Sequence, residues 1–236
     1  MTGQITLETL FWLQDQASKH NHEKSRIVQR RLAFVGDAVR LACAVLASTH
    51  FPPHKQTAIR VLATDVIASI VTSTRVGMWG NLPDSVTLLR TALETSAILA
   101  SVVEAQEYQA VTCEMQTAKM RRFSYDEAVG RLGELGSRLK SLWGRLSNIG
   151  PHSTGTRMKF TSYELDGERY DRLGAALDPK SAELALAYGP DICVHLLECL
   201  EKTYSQDLLE FPLADQLRAL KERFTEAKSW DADTTA

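Results

Sequence analysis

The chain has 236 residues, 44% of them apolar, and a formal net charge of −2. That length suits one large domain or two small ones with a core that needs no staples. The near-neutral balance argues against a globally basic nucleic-acid binder, so any anion site must be local. Four cysteines, Cys43, Cys113, Cys193 and Cys199, lie in apolar, helix-like stretches without C-x-x-C spacing. This argues against a zinc site or a disulfide framework and predicts buried thiols in a reducing compartment.

The N-terminus has no basic leader and carries Glu8 before its apolar pair. The apolar window Leu32–Ser48 contains Asp37 and Arg40 and is shorter than the ~20 residues that span a bilayer. A cytoplasmic protein with no membrane segment is expected. Ile5–His20 reads as an amphipathic helix with Leu7, Leu10, Phe11 and Leu13 inward, and His20-Asn21-His22 as a polar break. A long, mostly buried helix follows over Glu23–Thr49 and ends at Phe51-Pro52-Pro53, because proline cannot continue the hydrogen-bond ladder. The third helix, His54–Val76, turns its apolar residues Ile59, Leu62, Val66, Ile67, Ile70 and Val71 to the core, and Gly77 and Gly80 mark the next turn.

Asn81–Glu104 is expected to be the central helix. Asn81 caps it, Pro83 sits in its first turn, and Asp84 complements the dipole there. Leu82, Val86, Leu89, Leu93, Ala97 and Ala100 repeat at the spacing of one helical face, and beyond residue 97 the apolar character spreads all round. Arg90 and Glu94 break this wall one turn apart. Their order, cation before acid, is the weaker one for an isolated helix, so helix stabilisation does not explain them. They read as a structural ion pair, as support for a histidine or arginine elsewhere, or as the lining of a small-ligand pocket.

Gln106–Arg122 still reads as helical. Ser124-Tyr125-Asp126-Glu127 is a capping box that opens a helix to about Asn148, with Gly133 and Gly136 accounted for by close approach of a neighbouring backbone. Asp166-Gly167 suggests a two-residue hairpin turn. Asp178-Pro179 restarts a helix, Gly189-Pro190 breaks it, Asp191 caps the continuation to Tyr204, and a last helix covers Leu213–Lys228. The expected architecture is all-α: one helical-bundle domain over residues 1–228 with seven or eight helices, at most one small hairpin near 157–173, and a frayed tail over 229–236.

Arg131, Arg138 and Arg145 recur every seven residues along one edge of the leucine stripe of the capping-box helix. They form either a solvated rim or a local anion-binding edge. Arg145 stands in the last turn, and His152 lies just beyond the helix end. A permanent planar cation suited to phosphate and a histidine able to act as acid or base are the minimum for metal-free phosphodiester cleavage. Ser147 and Asn148 would add hydrogen bonds. Asp191, His195 and Glu198 share a helix face but lack the paired Glu-x-x-His motifs of a di-iron bundle, so neither a metal nor another cofactor is expected.

An arginine, six residues and a histidine at a helix end resemble the motif of the HEPN superfamily. Gly80, Leu88-Leu89-Arg90, Glu94, Ser147 and His152 are also similar, in order, to a group of bacterial helical proteins with Leu-Leu-Arg-x-x-x-Glu on a central helix and a later Ser and His. The resemblance implies a helical bundle that dimerises, with Arg145 and His152 facing a shared cleft and Arg90 and Glu94 on the same cavity. It also implies a place in RNA metabolism or defence, with RNA or a protein as partner. Two function classes stay open: an interaction or regulatory protein, and a metal-independent ribonuclease using Arg145 and His152.

Overall fold

The structure is a computed structural model and describes residues 7–48, 53–111, 124–149, 162–165, 167–171, 175–204 and 213–229. Among these the fold is all-α, with nine helices: α1 (Leu7–Lys24), α2 (Arg26–Ser48), α3 (Pro53–Met78), α4 (Leu82–Glu104), α5 (Tyr125–Arg131), α6 (Gly133–Ile149), α7 (Pro179–Leu186), α8 (Gly189–Tyr204) and α9 (Leu213–Ser229). One small hairpin interrupts them, β1 (Ser162–Leu165) antiparallel to β2 (Glu168–Asp171). Leu165 pairs with Glu168 and leaves two residues for the turn, where Gly167 takes a φ of +79° that disfavours side chains.

Helix α4 is the hub, packed against α3, α5, α6, α7 and α8. Its N-terminus forms as the sequence predicts: the Asn81 side chain accepts from the Asp84 amide, with proline in the first turn. Ser85, Ala92, Ser96, Ala97, Ala100 and Ser101 are all buried on it, and these small residues let neighbours approach closely. Ser73 Oγ donates to Ser85 O (2.8 Å) and Ser85 Oγ to Ala185 O (3.1 Å), joining α3, α4 and α7. A Cβ at Gly77 would come within 2.9 Å of Leu186 Cδ2, so α7 crosses close to the α3 backbone here. The core gathers Phe34, Ile59, Ile70, Leu89, Leu93, Leu139, Leu142, Leu146 and Ile192, each worth roughly 1.5–3 kcal/mol of burial. Helices α3 and α4 are long and apolar enough to cross a membrane by length and composition alone, which the window Leu32–Ser48 had not suggested; α4 is surrounded by other helices.

Several local expectations are corrected. Helix α1 runs through His20-Asn21-His22 to Lys24, and the break falls at Ser25. Leu7 and Phe11 are 67% and 60% exposed, because the buried side of α1 is set by Ala17 and Asn21. Cys43 and Val71 are exposed as well, on the outer faces of α2 and α3; Cys193 and Cys199 are buried, and Cys113 lies outside the described residues. Ser124 stands at the N-cap of α5 without a side-chain cap bond, and Glu127 pairs forward with Arg131, so the capping box does not close. The helix it opens is two helices, broken at Leu132-Gly133, where Gly133 has φ +56°. Gly136 meets its expectation: a Cβ there would fall 2.0 Å from the Val129 carbonyl oxygen, the end of α5 folding onto the start of α6. Asp191 lies in the first turn of α8 and does not cap it. Residues 105–107 form a turn, with Gln106 at φ +55°, so the expected helix does not start at Gln106; residues 108–111 are helical, whereas 112–122 and the tail beyond Ser229 lie outside the described residues.

Asn21 shows what a buried polar residue does in this bundle. Its Nδ2 donates to Met78 O and Ala176 O, both at 2.9 Å, while the Ala176 amide donates to Trp79 O at 2.7 Å. One amide group thereby ties α1 to the end of α3 and to the segment entering α7. Asn21→Ala should lower the unfolding free energy in urea by about 2–3 kcal/mol, since two buried carbonyls lose their donor. A loss near that of an ordinary surface change, about 0.5 kcal/mol, would show that the clamp contributes nothing.

Candidate functional site

The leucine stripe of α6 (Leu139, Leu142, Leu146) faces the core, and a polar centre lies along each of its edges. On one edge stands Trp143. Its Nε1 donates to Glu94 Oε1 at 2.7 Å, and the same oxygen accepts from Arg90 Nε at 2.9 Å. The Arg90 guanidinium lies 4.5 Å from the centre of the Trp143 ring, and Tyr125 stacks on that ring at 5.7 Å. The reversed order of Arg90 and Glu94 now has a reason. The pair is held by an indole from another helix: its N–H satisfies the acid and its π-face attracts the cation.

Two hydroxyls in this neighbourhood are buried without a hydrogen-bond partner, Tyr125 Oη and Ser147 Oγ. Ser147 is one turn beyond Trp143, on the same edge of α6. Burial first, and then the Glu94 and Asp126 carboxylates, push the Tyr125 phenol well above its ordinary pKa, against a smaller opposing effect of Arg90. The phenol therefore stays protonated at any physiological pH.

The other edge of α6 carries Arg138, Ser141 and Arg145, with Arg145 about 200° around the helix from Trp143. With Asp191, Val194, His195 and Glu198 of α8 and Lys221, Phe224 and Thr225 of α9, they line a pocket of about 390 Å³. Glu198 organises it. Its Oε1 meets Lys221 Nζ at 3.0 Å and Arg138 Nη1 at 3.3 Å, while Oε2 meets His195 Nδ1 at 3.1 Å. The Glu198 and His195 side chains are only 11% and 12% exposed. Burial by itself would raise the carboxyl pKa. The hydrogen bonds from His195 and Lys221 and the charges of Lys221 and Arg138 overrule it, and the group is held at about 2. Arg145 is exposed, and among the described residues it has no ion-pair or hydrogen-bond partner.

The residues singled out in the sequence therefore divide. Arg90, Glu94 and Ser147 belong to the Trp143 edge, Arg138 and Arg145 to the pocket. Arg131 leaves the row, because the break at Gly133 puts it on α5, where Glu107 (3.3 Å), Glu127 and Ser101 hold it. The cavity expected to join Arg90 and Glu94 to Arg145 does not form among the described residues. The partner found for Arg90 and Glu94 is Trp143, two positions before the expected stretch 145–154, of which residues 150–154 lie outside the described residues. His152 lies outside the described residues, and Asn148 is exposed. Trp143, Tyr125 and Lys221 went unnoticed in the sequence. A tryptophan beside a leucine stripe was the one available signal, since a half-buried indole N–H needs an acceptor; nothing local connects Lys221 to Glu198. No group of three or more metal-binding side chains occurs among the described residues.

Glu94→Ala removes the acceptor shared by Arg90 and Trp143 and should cost about 1–3 kcal/mol in urea unfolding, with Glu94→Gln costing less because an acceptor remains. Equal losses for the two variants would show that the shared oxygen is not what matters. For Glu198 the folded pKa is depressed, so its stabilisation is present above the ordinary value of 4.5 and is lost as pH falls through about 2. Between those limits the stability of wild type should fall more steeply with acid than that of Glu198→Gln, as followed by denaturant midpoints; parallel profiles would contradict the assignment. The chain matches no family model, no curated protein and no solved structure at a significant level.

Proposed function

We propose that this helical bundle is an HEPN-like interaction or regulatory protein of RNA metabolism or defence that contacts RNA phosphate at the pocket between α6, α8 and α9. One observation carries the reading: Arg145, a guanidinium with no partner among the described residues, stands beside Arg138 and Lys221. Arginine's planar fork suits a phosphate group, and a cation without a partner among the described residues gives up no ion pair to them on binding one. The site is local in a chain of net charge −2, so RNA would be gripped at one place and not along a basic face.

A metal-independent ribonuclease is the second reading. The same Arg145 guanidinium, seven residues before His152 in the chain, favours it. One experiment addresses both: labelled RNA is titrated in EDTA at several salt concentrations and its length is followed on a gel. Arg145→Ala should weaken binding about tenfold and reduce the salt slope by about 1, as expected for one lost phosphate contact. Unchanged affinity and slope would remove RNA from the pocket. Cleavage that persists in EDTA and disappears in His152→Ala would establish the ribonuclease, whereas intact RNA would leave the interaction protein.

A further inference from the structure

The pocket's charges specify which kind of phosphate it takes. Three permanent cations line it, Arg138, Arg145 and Lys221, against two carboxylates, Glu198 and Asp191, and two of the cations converge on one oxygen of Glu198. Arg138 Nη1 and Lys221 Nζ are thus close enough for one further anion to touch both. Glu198 is already anchored through its other oxygen by His195. It can keep that bond while its cations turn to a ligand. A phosphodiester in the middle of a strand brings one negative charge, which Arg145 alone can match. A phosphomonoester is close to a dianion at neutral pH, because its second pKa is about 6. It carries the extra charge needed to draw Arg138 or Lys221 from Glu198 while Arg145 holds it from the other side.

Size points the same way. About 390 Å³ lies near the lower end of the volumes that enclose small organic ligands. It has room for one nucleotide-sized unit, and Val194 and Phe224 give its wall an apolar part for the body of such a unit.

From these features the geometry points to recognition of a terminal phosphomonoester, the phosphorylated end of an RNA or a mononucleotide, with Arg145 as its primary ligand and Arg138 and Lys221 shared with Glu198. The inference rests on the reading above in taking this pocket as the phosphate-contacting surface, and adds which phosphate enters it. Glu198 acts as a resident competitor that sets the affinity.

The test is a calorimetric titration of the full chain with a nucleoside 5′-monophosphate, the parent nucleoside, orthophosphate, and one short RNA with or without a 5′-phosphate. The monophosphate and the phosphorylated RNA should bind about tenfold or more tightly than their unphosphorylated forms, and Arg145→Ala should abolish that difference. Glu198→Gln should tighten monophosphate binding, because it frees two cations; this readout moves opposite to the loss that a merely damaged fold would give. Thermal melts of both variants identify any that unfold. Equal binding of phosphorylated and unphosphorylated RNA, with Arg145→Ala weakening both, would overturn this inference and leave the RNA reading standing. Monophosphate binding without any RNA binding would sustain the pocket's ligand and remove the RNA reading. Orthophosphate binding as tightly as the monophosphate, or weaker monophosphate binding by Glu198→Gln, would overturn the phosphomonoester assignment.

Discussion

Burial of α4 from five sides is the constraint on which the rest of the bundle depends. A helix enclosed in this way cannot send long polar side chains to water along most of its length. It therefore needs small residues where neighbours cross and apolar ones elsewhere. Ser85, Ser96 and Ser101 satisfy the first demand at little cost, because a serine can bond a carbonyl on its own helix or on the next: Ser96 Oγ donates to Ala92 O, and Ser85 Oγ to Ala185 O. Arg90 and Glu94 are the exceptions. A cation and an acid at the border of such a helix are stable only with partners delivered by tertiary structure. Trp143 delivers both at once, accepting the cation on its ring and giving its N–H to the acid. The register of α6 against α4 is tied to this contact, since sliding α6 by one residue would carry Trp143 about 100° away from Glu94.

That register has a consequence on the far edge of α6. Fixing Trp143 and the leucine stripe leaves Arg138, Ser141 and Arg145 no choice but to face α8 and α9. The seven-residue spacing of Arg138 and Arg145, two turns of one helix, keeps them on that edge. The third member of the row fails because Gly133 stops the helix. Arg131 then meets Glu107 and Glu127 and is neutralised there, so the cationic edge is shorter than the sequence implies and ends at Arg145, which has no partner among the described residues.

Much of the fold was legible wherever local chemistry decides. Asn81, Asp178 and their prolines place helix starts because caps and fixed φ angles act within a few residues. Asp166-Gly167 placed the hairpin because its turn requires a positive φ. Legibility failed where distant partners decide. Leu7 and Phe11 are as apolar as Leu10, but α1 turns Ala17 and Asn21 inward, and a buried asparagine with two carbonyl acceptors from other segments cannot be read from its neighbours. The capping box failed for a similar reason: Glu127 finds Arg131 one turn ahead, an interaction that competes with reaching back to the cap. Of the candidate site, the sequence offered the cations and the Arg90–Glu94 pair. The acid and histidine that complete the pocket were visible only as a spacing of three on α8, and Lys221 joins them from α9 across more than twenty residues.

The two edges of α6 differ in what their charges leave available. At the Trp143 edge the acid is shared by a guanidinium and an indole, and any anion that entered would have to displace Glu94 from both. Such a centre resists ligands and holds helices. At the pocket edge one carboxylate is shared by Arg138, Lys221 and His195 while Arg145 stands outside the cluster. The three cations there outnumber the two carboxylates of the pocket, Glu198 and Asp191, and part of that charge borders an opening wide enough for a small molecule. An incoming anion there trades one oxygen partner for another on Arg138 or Lys221 and gains Arg145 outright. The first centre thus holds helices together, and the second carries the surplus charge on which the proposed recognition rests, although the sequence had grouped their residues as one.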